Sequence, residues 1–208
     1  MSNLPPITLT SQPQRHPACC LSLSTILLQT LTKLLSHSPS PSPSSSFQPP
    51  QRKKEKEPPH LLPLLSIGSG TGLLEELLHQ TLTRKPQNKW QVQGVEVNPK
   101  INIYLPENRI IRVPGTWALL TAYQKEEVGA LMFVYPRDGK LVRRYVEEFF
   151  PHVNMVLWLG PKCDWEDTGL RYRDDGGDDD DYANVEILEL RDGVGLEECE
   201  MIGVLRWK

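Results

Sequence analysis

The sequence predicts an α/β fold with a mostly parallel sheet and helices on both faces, and three observations predict it. A short apolar stretch, Leu61 to Ile67, runs into three alternate glycines, Gly68, Gly70 and Gly72, and then into a helical pattern with leucines at 73, 74, 77 and 78. A second apolar run, beginning at Trp90, ends in Glu96 and Asn98 after a polar loop at 84–89. A third, Val128 to Tyr135, is near-continuously apolar, as a central strand buried on both faces must be.

Strand, tight turn and helix at 61–78 is the arrangement that makes a ligand site. The turn after a parallel strand needs backbone angles closed to most residues, and a Cβ there would block a ligand approaching the main chain. The amides opening the following helix offer donors and a positive dipole end. An acid at the tip of the second strand can accept two ribose hydroxyls, which gives Glu96 a role. As a strand-tip acid it is expected to add little to packing. The interval from Gly68 to Glu96 is 28 residues, against roughly 20 in a dinucleotide fingerprint, and the loop at 84–89 absorbs the excess. A dinucleotide site also asks for G-x-G-x-x-G, whereas here the third glycine comes one residue early and position 73 is leucine.

The run Gly68-Ser-Gly-Thr-Gly72, preceded by Leu-Leu-Ser-Ile and followed by Leu-Leu-Glu, resembles the first motif of the class I S-adenosylmethionine-dependent methyltransferases. Gly94-Val-Glu-Val-Asn98 resembles their acidic second-strand motif. The resemblance implies S-adenosylmethionine as cofactor. Gly68, Ser69, Gly70 and Gly72 would lie around its methionine part, with Glu96 on the ribose and Asn98 in the same motif. Asn108 to Val113 reads as a third strand, and the Pro114-Gly-Thr-Trp117 after it falls where the family contacts adenine, so Thr116 and Trp117 stand where many members carry an acid. The fourth strand ends in Tyr135-Pro-Arg-Asp138, beside the transferred methyl in the family, which makes Tyr135 and Asp138 the candidate catalytic residues. The Asn/Asp-Pro-Pro-Tyr/Phe tetrapeptide of amino-group methylation is absent there. Asp164 and Trp165, after the fifth strand, are candidate pocket walls.

Apolar residues at 141, 142, 145, 146, 149 and 150 have the spacing of a helix packed on a sheet. Val153 to Leu159 makes the fifth strand, stopped by Gly160-Pro161. Val185 to Leu190 and Met201 to Trp207, joined through Asp192-Gly193 and Gly195, are too close in sequence to pair except as antiparallel neighbours. The expected architecture is therefore the Rossmann-like methyltransferase fold, a mostly parallel seven-stranded sheet with a C-terminal antiparallel strand. A dinucleotide-binding fold would continue with another helical crossover.

With 208 residues, one domain is expected, running from 61 to 208. Only 38% of residues are hydrophobic and 19 are proline, because the first 60 residues dilute the core. Residues 1–18 read as a disordered tail, 19–35 as an apolar helix packing on the sheet, and 36–60 as a low-complexity linker. Removing 1–18 or 38–58 is expected to leave the fold intact, and losing Leu21 to Leu35 to expose the sheet. No stretch reaches the roughly 18 apolar residues of a membrane span. The serine-rich start, with its first acid at Glu55 and only Arg15 before residue 52, is too poor in arginine for a good transit peptide, so cytosol or nucleus is expected, with mitochondria as the alternative. Cys19, Cys20, Cys163 and Cys199 lack metal-ligand spacing and read as reduced thiols, and no metal site is expected. The net charge of −3 conceals the acidic run Asp174 to Asp181, which would repel a phosphate backbone. It lacks the twelve-residue pattern of a calcium loop. The acceptor expected is thus a small molecule or a protein side chain, not nucleic acid. Two other readings remain: a catalytically degenerate member of the fold serving as a scaffold, and an NAD-linked enzyme, which the glycine spacing disfavours.

Overall fold

The structure is a computed structural model, and it describes residues 7–36, 61–98, 100–120, 128–150, 152–170 and 184–206. Of the expected linker at 36–60 only Ser36, the end of a helix, is described; the rest of it and the acidic run at 174–181 lie outside the described residues.

A hairpin of β1 (Gln14–His16) and β2 (Cys19–Leu23) leads into α1 (Thr25–Ser36). Then follow β3 (Leu62–Ile67), α2 (Leu73–Thr83), β4 (Trp90–Glu96), β5 (Ile110–Arg112), β6 (Ala130–Val134) and α3 (Gly139–Phe149). The chain closes with β7 (Met155–Pro161), the single turn α4 (Trp165–Thr168), β8 (Asn184–Leu188) and β9 (Glu200–Arg206). Seven strands form one sheet in the order β5-β4-β3-β6-β7-β9-β8. The pairs from β5 to β7 are parallel, and β9 runs antiparallel between β7 and β8. This is the expected architecture, including its antiparallel end.

Side chains alternate across the strands and split the core in two. One face carries Leu64, Val92, Met132, Leu157 and Ile202 against α1 and α2. The other carries Leu65, Val95, Phe133, Val156 and Leu205 against α3, whose Val142, Tyr145, Val146 and Phe149 are buried. The parallel strands are apolar throughout because both faces are covered.

The amino terminus differs from expectation. The helix starts at Thr25, not Cys19, because Ser24 caps it: its Oγ accepts from the Leu27 amide at 2.9 Å and donates to the Gly195 carbonyl at 2.7 Å. Cys19 to Leu23 instead pairs as a strand. Nor are residues 7–18 a loose tail: Ile7 and Leu9 pack on the core. Arg15 donates to Glu197 at 2.6 Å and lies 3.4 Å from the fully buried carboxylate of Glu200. Removing residues 1–18 is therefore expected to lower the thermal midpoint, and by more than Arg15→Ala. The single variant should cost about 1 kcal/mol through the exposed pair with Glu197, and more because it leaves the buried Glu200 carboxylate without its cation; a truncation that melts like the full chain would show the hairpin to be an ornament.

Candidate functional site

The carboxyl ends of β3, β4, β5 and β6 meet along one edge of the sheet, where parallel α/β folds place ligands. The β3–α2 turn holds Gly68, Gly70 and Gly72 at φ +74°, +56° and +79°. A Cβ on Gly70 would meet nothing within 4 Å, so the loop presents bare backbone to open space. Beneath it the approach is close. Gly94 on β4 lies directly under Ser69, and any side chain at 94 would collide with the serine hydroxyl. That hydroxyl, buried and turned onto Gly94, has no hydrogen-bond partner among the described residues. The Ser69 side chain is thus a floor of the loop, and the residue still lines the cavity beside it.

Glu96 does more than a solvated strand tip would. Its Oε2 accepts from the Gly70 amide at 2.9 Å, and its Oε1 accepts from Val97 at 2.8 Å and Asn98 at 3.2 Å. The acid ties the glycine loop to the β4 turn, while Oε2, with one amide bonded, keeps lone-pair capacity for a further donor. The expectation that Glu96 contributes little beyond binding needs this correction. Asn98 is exposed, and its Oδ1 accepts from the Lys100 amide at 3.2 Å.

Two cavities flank the loop and share Gly68. The larger, about 260 Å³, is lined by Gly68 to Thr71, Glu75, Ile101 and Val134, and roofed by Ala18, Cys19 and Cys20 of the hairpin. Thr71 Oγ1 donates to the Ala18 carbonyl at 2.6 Å, locking roof to loop. The smaller, about 120 Å³, lies between Glu96, Val113, Thr116 and Tyr145. Thr116 therefore reaches the site. Trp117 is 69% exposed and its ring lies over Gly115 outside the cavity wall.

Burial tunes three groups here. Glu75 is 2% exposed and its carboxyl is pushed up to about 7, chiefly by desolvation, against the Ser66 hydroxyl that donates to it at 2.6 Å. Desolvation first, then Glu75 itself, pushes the Cys19 thiol up to about 12. Tyr135 is also raised by desolvation and then by its bond to Glu200.

Of the two candidate catalytic residues, each has a structural partner. Tyr135 sits at φ +49°, the one non-glycine residue with positive φ among the described residues, and donates its hydroxyl to Glu200 Oε1 at 2.7 Å while accepting from Arg15 at 3.4 Å. Ser22 also donates to Glu200 through its amide, at 3.1 Å, and through its hydroxyl. This network fastens the hairpin across the ends of β6 and β9. Asp138 caps α3, its Oδ1 accepting from Lys140 at 2.9 Å and Leu141 at 3.3 Å. Trp165 stacks edge-on against the buried Trp158, ring centroids 5.0 Å apart, and so belongs to the core. Asp164 lies beside Cys163, whose thiol it accepts from at 3.5 Å. Sequence reasoning missed Glu75, Arg15 and Glu200. Glu75 stood in an amphipathic helix where an acid signals solvent, and the other two meet only through the fold.

Loss of Glu96 should show in both binding and stability. Glu96→Ala is expected to weaken S-adenosylmethionine binding by about 1.5–3 kcal/mol, the scale of a hydrogen bond to a charged group, and also to lower the melting temperature by freeing three amides. Glu96→Gln should retain part of both. Unchanged affinity in both variants, by calorimetry, would remove Glu96 from the site.

No protein-family profile matches the chain, and no curated protein matches it. Solved structures do. A Listeria monocytogenes protein described provisionally as a class I S-adenosylmethionine-dependent methyltransferase is 13% identical, with 88% of this chain and 59% of that one covered and a TM-score of 0.48. The chain thus spans about three-fifths of that protein's length. A METTL16 methyltransferase domain is 15% identical over 90% of this chain and 84% of its own, TM-score 0.46, and a human methyltransferase 10 domain containing protein 14% over 87% and 80%, TM-score 0.43. Other matched structures are described as RNA methyltransferases. By its own strand order, antiparallel closing strand and glycine turn, the chain has the Rossmann-like fold of the class I S-adenosylmethionine-dependent methyltransferases.

Proposed function

We propose that the protein is an S-adenosylmethionine-dependent methyltransferase acting on a small molecule or a protein side chain. The observation that carries this reading is the bare glycine loop, hinged through Gly70 to Glu96 and standing between two cavities. Donor chemistry fits the cofactor: a carboxylate for ribose hydroxyls, helix-opening amides for an anionic end, and space where Gly70 has no side chain. Bound S-adenosylmethionine would supply a methyl group already activated on a sulfonium. What remains for the chain is to align the acceptor with that methyl and exclude water. The hairpin roof and Val134 do the excluding. Tyr135, its proton shared with Glu200, is a poor general base and serves to hold that roof.

S-adenosylmethionine and S-adenosylhomocysteine are expected to raise the melting temperature of the full chain, with NAD and ATP without effect; stabilisation by NAD alone would favour the nicotinamide reading. The engagement of both Tyr135 and Asp138 in structure favours one second reading, a scaffold that binds cofactor without transferring methyl. Transfer of labelled methyl in a screen of small molecules, peptides and RNA separates the two, and transfer to RNA would overturn the acceptor class proposed.

A further inference from the structure

Glu75 and Glu76 are neighbours in the first turn of α2, both buried at 2% and 3% exposure, yet their surroundings differ. Glu76 is ion-paired with Arg109. Glu75 forms no ion pair among the described residues. It is held by Ser66 and lines the larger cavity beside Gly68 to Thr71. A buried carboxylate without a cation is costly, and here it faces the space that the glycine loop leaves open. We propose that Glu75 is the counter-ion for the ammonium of the cofactor's amino-acid end, which completes an ion pair that the protein alone leaves half made. This rests on the cofactor reading above and goes beyond it in naming the group that recognises the charge.

The groups around Glu75 support a cation and none supplies one. β3 presents the Ser66 hydroxyl, and the end of β4 presents Glu96, a second negative charge. β2 presents Cys19, a thiol kept neutral by burial. On α2 itself Glu76 is neutralised by Arg109, and His79 is held toward its neutral form by desolvation and then by Arg109. Lys33, the one charged residue of α1, is exposed. The N-terminal amides of α2 would take the cofactor's carboxylate, so that the zwitterionic end meets a donor and an acceptor of matching sign.

A proton linkage follows. In the free protein Glu75 is protonated below about 7, and a bound cation favours the charged form. Cofactor affinity is therefore full between that pH and the titration of the cofactor's own amino group, and is lost as pH falls through about 7. Calorimetry on the full chain between pH 8 and pH 6, with S-adenosylmethionine and separately with S-adenosylhomocysteine, tests this. Wild type is expected to bind both roughly tenfold more weakly at pH 6 than at pH 8, one unit below the free-protein midpoint. Glu75→Gln, which keeps a partner for Ser66, should bind both more weakly at pH 8 and with the pH slope gone. Because the fold raises this carboxyl from about 4.5 to about 7, the cost to folding begins above about 4.5 and is complete above about 7, so the unliganded variant should melt higher than wild type at pH 8 and no higher at pH 4. Equal affinity and an equal slope in wild type and Glu75→Gln would overturn the assignment, as would a slope seen with S-adenosylmethionine alone, which would point to the sulfonium. Absence of binding by wild type at every pH would instead overturn the cofactor reading on which it rests.

Discussion

Gly70→Val is expected to leave a cooperatively folding protein with no measurable S-adenosylmethionine binding. Two effects act together. At φ +56° an L-residue costs about 1–2 kcal/mol, and a β-branched one more, so the turn relaxes away from the geometry in which the Gly70 amide reaches Glu96 at 2.9 Å. The valine methyls also project into the open space beside the loop, which the ligand needs. The fold survives because nothing lies within 4 Å of the new Cβ. Calorimetric titration together with a melting curve checks both halves. Wild-type affinity in a folded Gly70→Val protein would place the ligand elsewhere.

The second large effect concerns stability. Arg109, 6% exposed, joins Glu76 on α2 and donates to the Val92 carbonyl of β4 at 3.3 Å. Arg109→Ala leaves the Glu76 carboxylate buried without a cation, and breaking a buried pair in this way costs about 3–5 kcal/mol. Gln80 still donates to Glu76 at 2.9 Å, which is too little to replace a charge. The double variant Glu76→Leu/Arg109→Met, which removes both charges, should lose less than Arg109→Ala alone. Urea denaturation measures both; a single variant within 1 kcal/mol of wild type would show that solvent reaches the pair on demand.

Most of the sheet was legible because its signals are local. Continuous apolar runs mark strands covered on both faces, and Gly68 to Gly72 marks the turn, since few residues but glycine accept three positive φ values in five positions. The antiparallel end was legible from the short connection between β8 and β9. The amino-terminal hairpin was not, because its stability lies in partners far along the chain: Arg15 with Glu197, Ser22 with Glu200, Thr71 with Ala18. Proline and serine nearby masked the alternation in Cys19 to Leu23. Within the site, Gly70 and Glu96 could be read from their motifs. Glu75 could not, because periodicity marks Leu77 as buried and Glu75 as exposed, while the structure leaves Leu77 half-exposed and buries Glu75 under the glycine loop.

In the function proposed, this glycine loop and Glu96 hold S-adenosylmethionine. Calorimetric titration of S-adenosylmethionine into the purified full chain at pH 8 tests it most directly. One binding event per chain is expected, absent in Gly70→Val and weakened in Glu96→Ala. A folded wild-type protein that gives no binding heat and no rise in melting temperature with either S-adenosylmethionine or S-adenosylhomocysteine would contradict it.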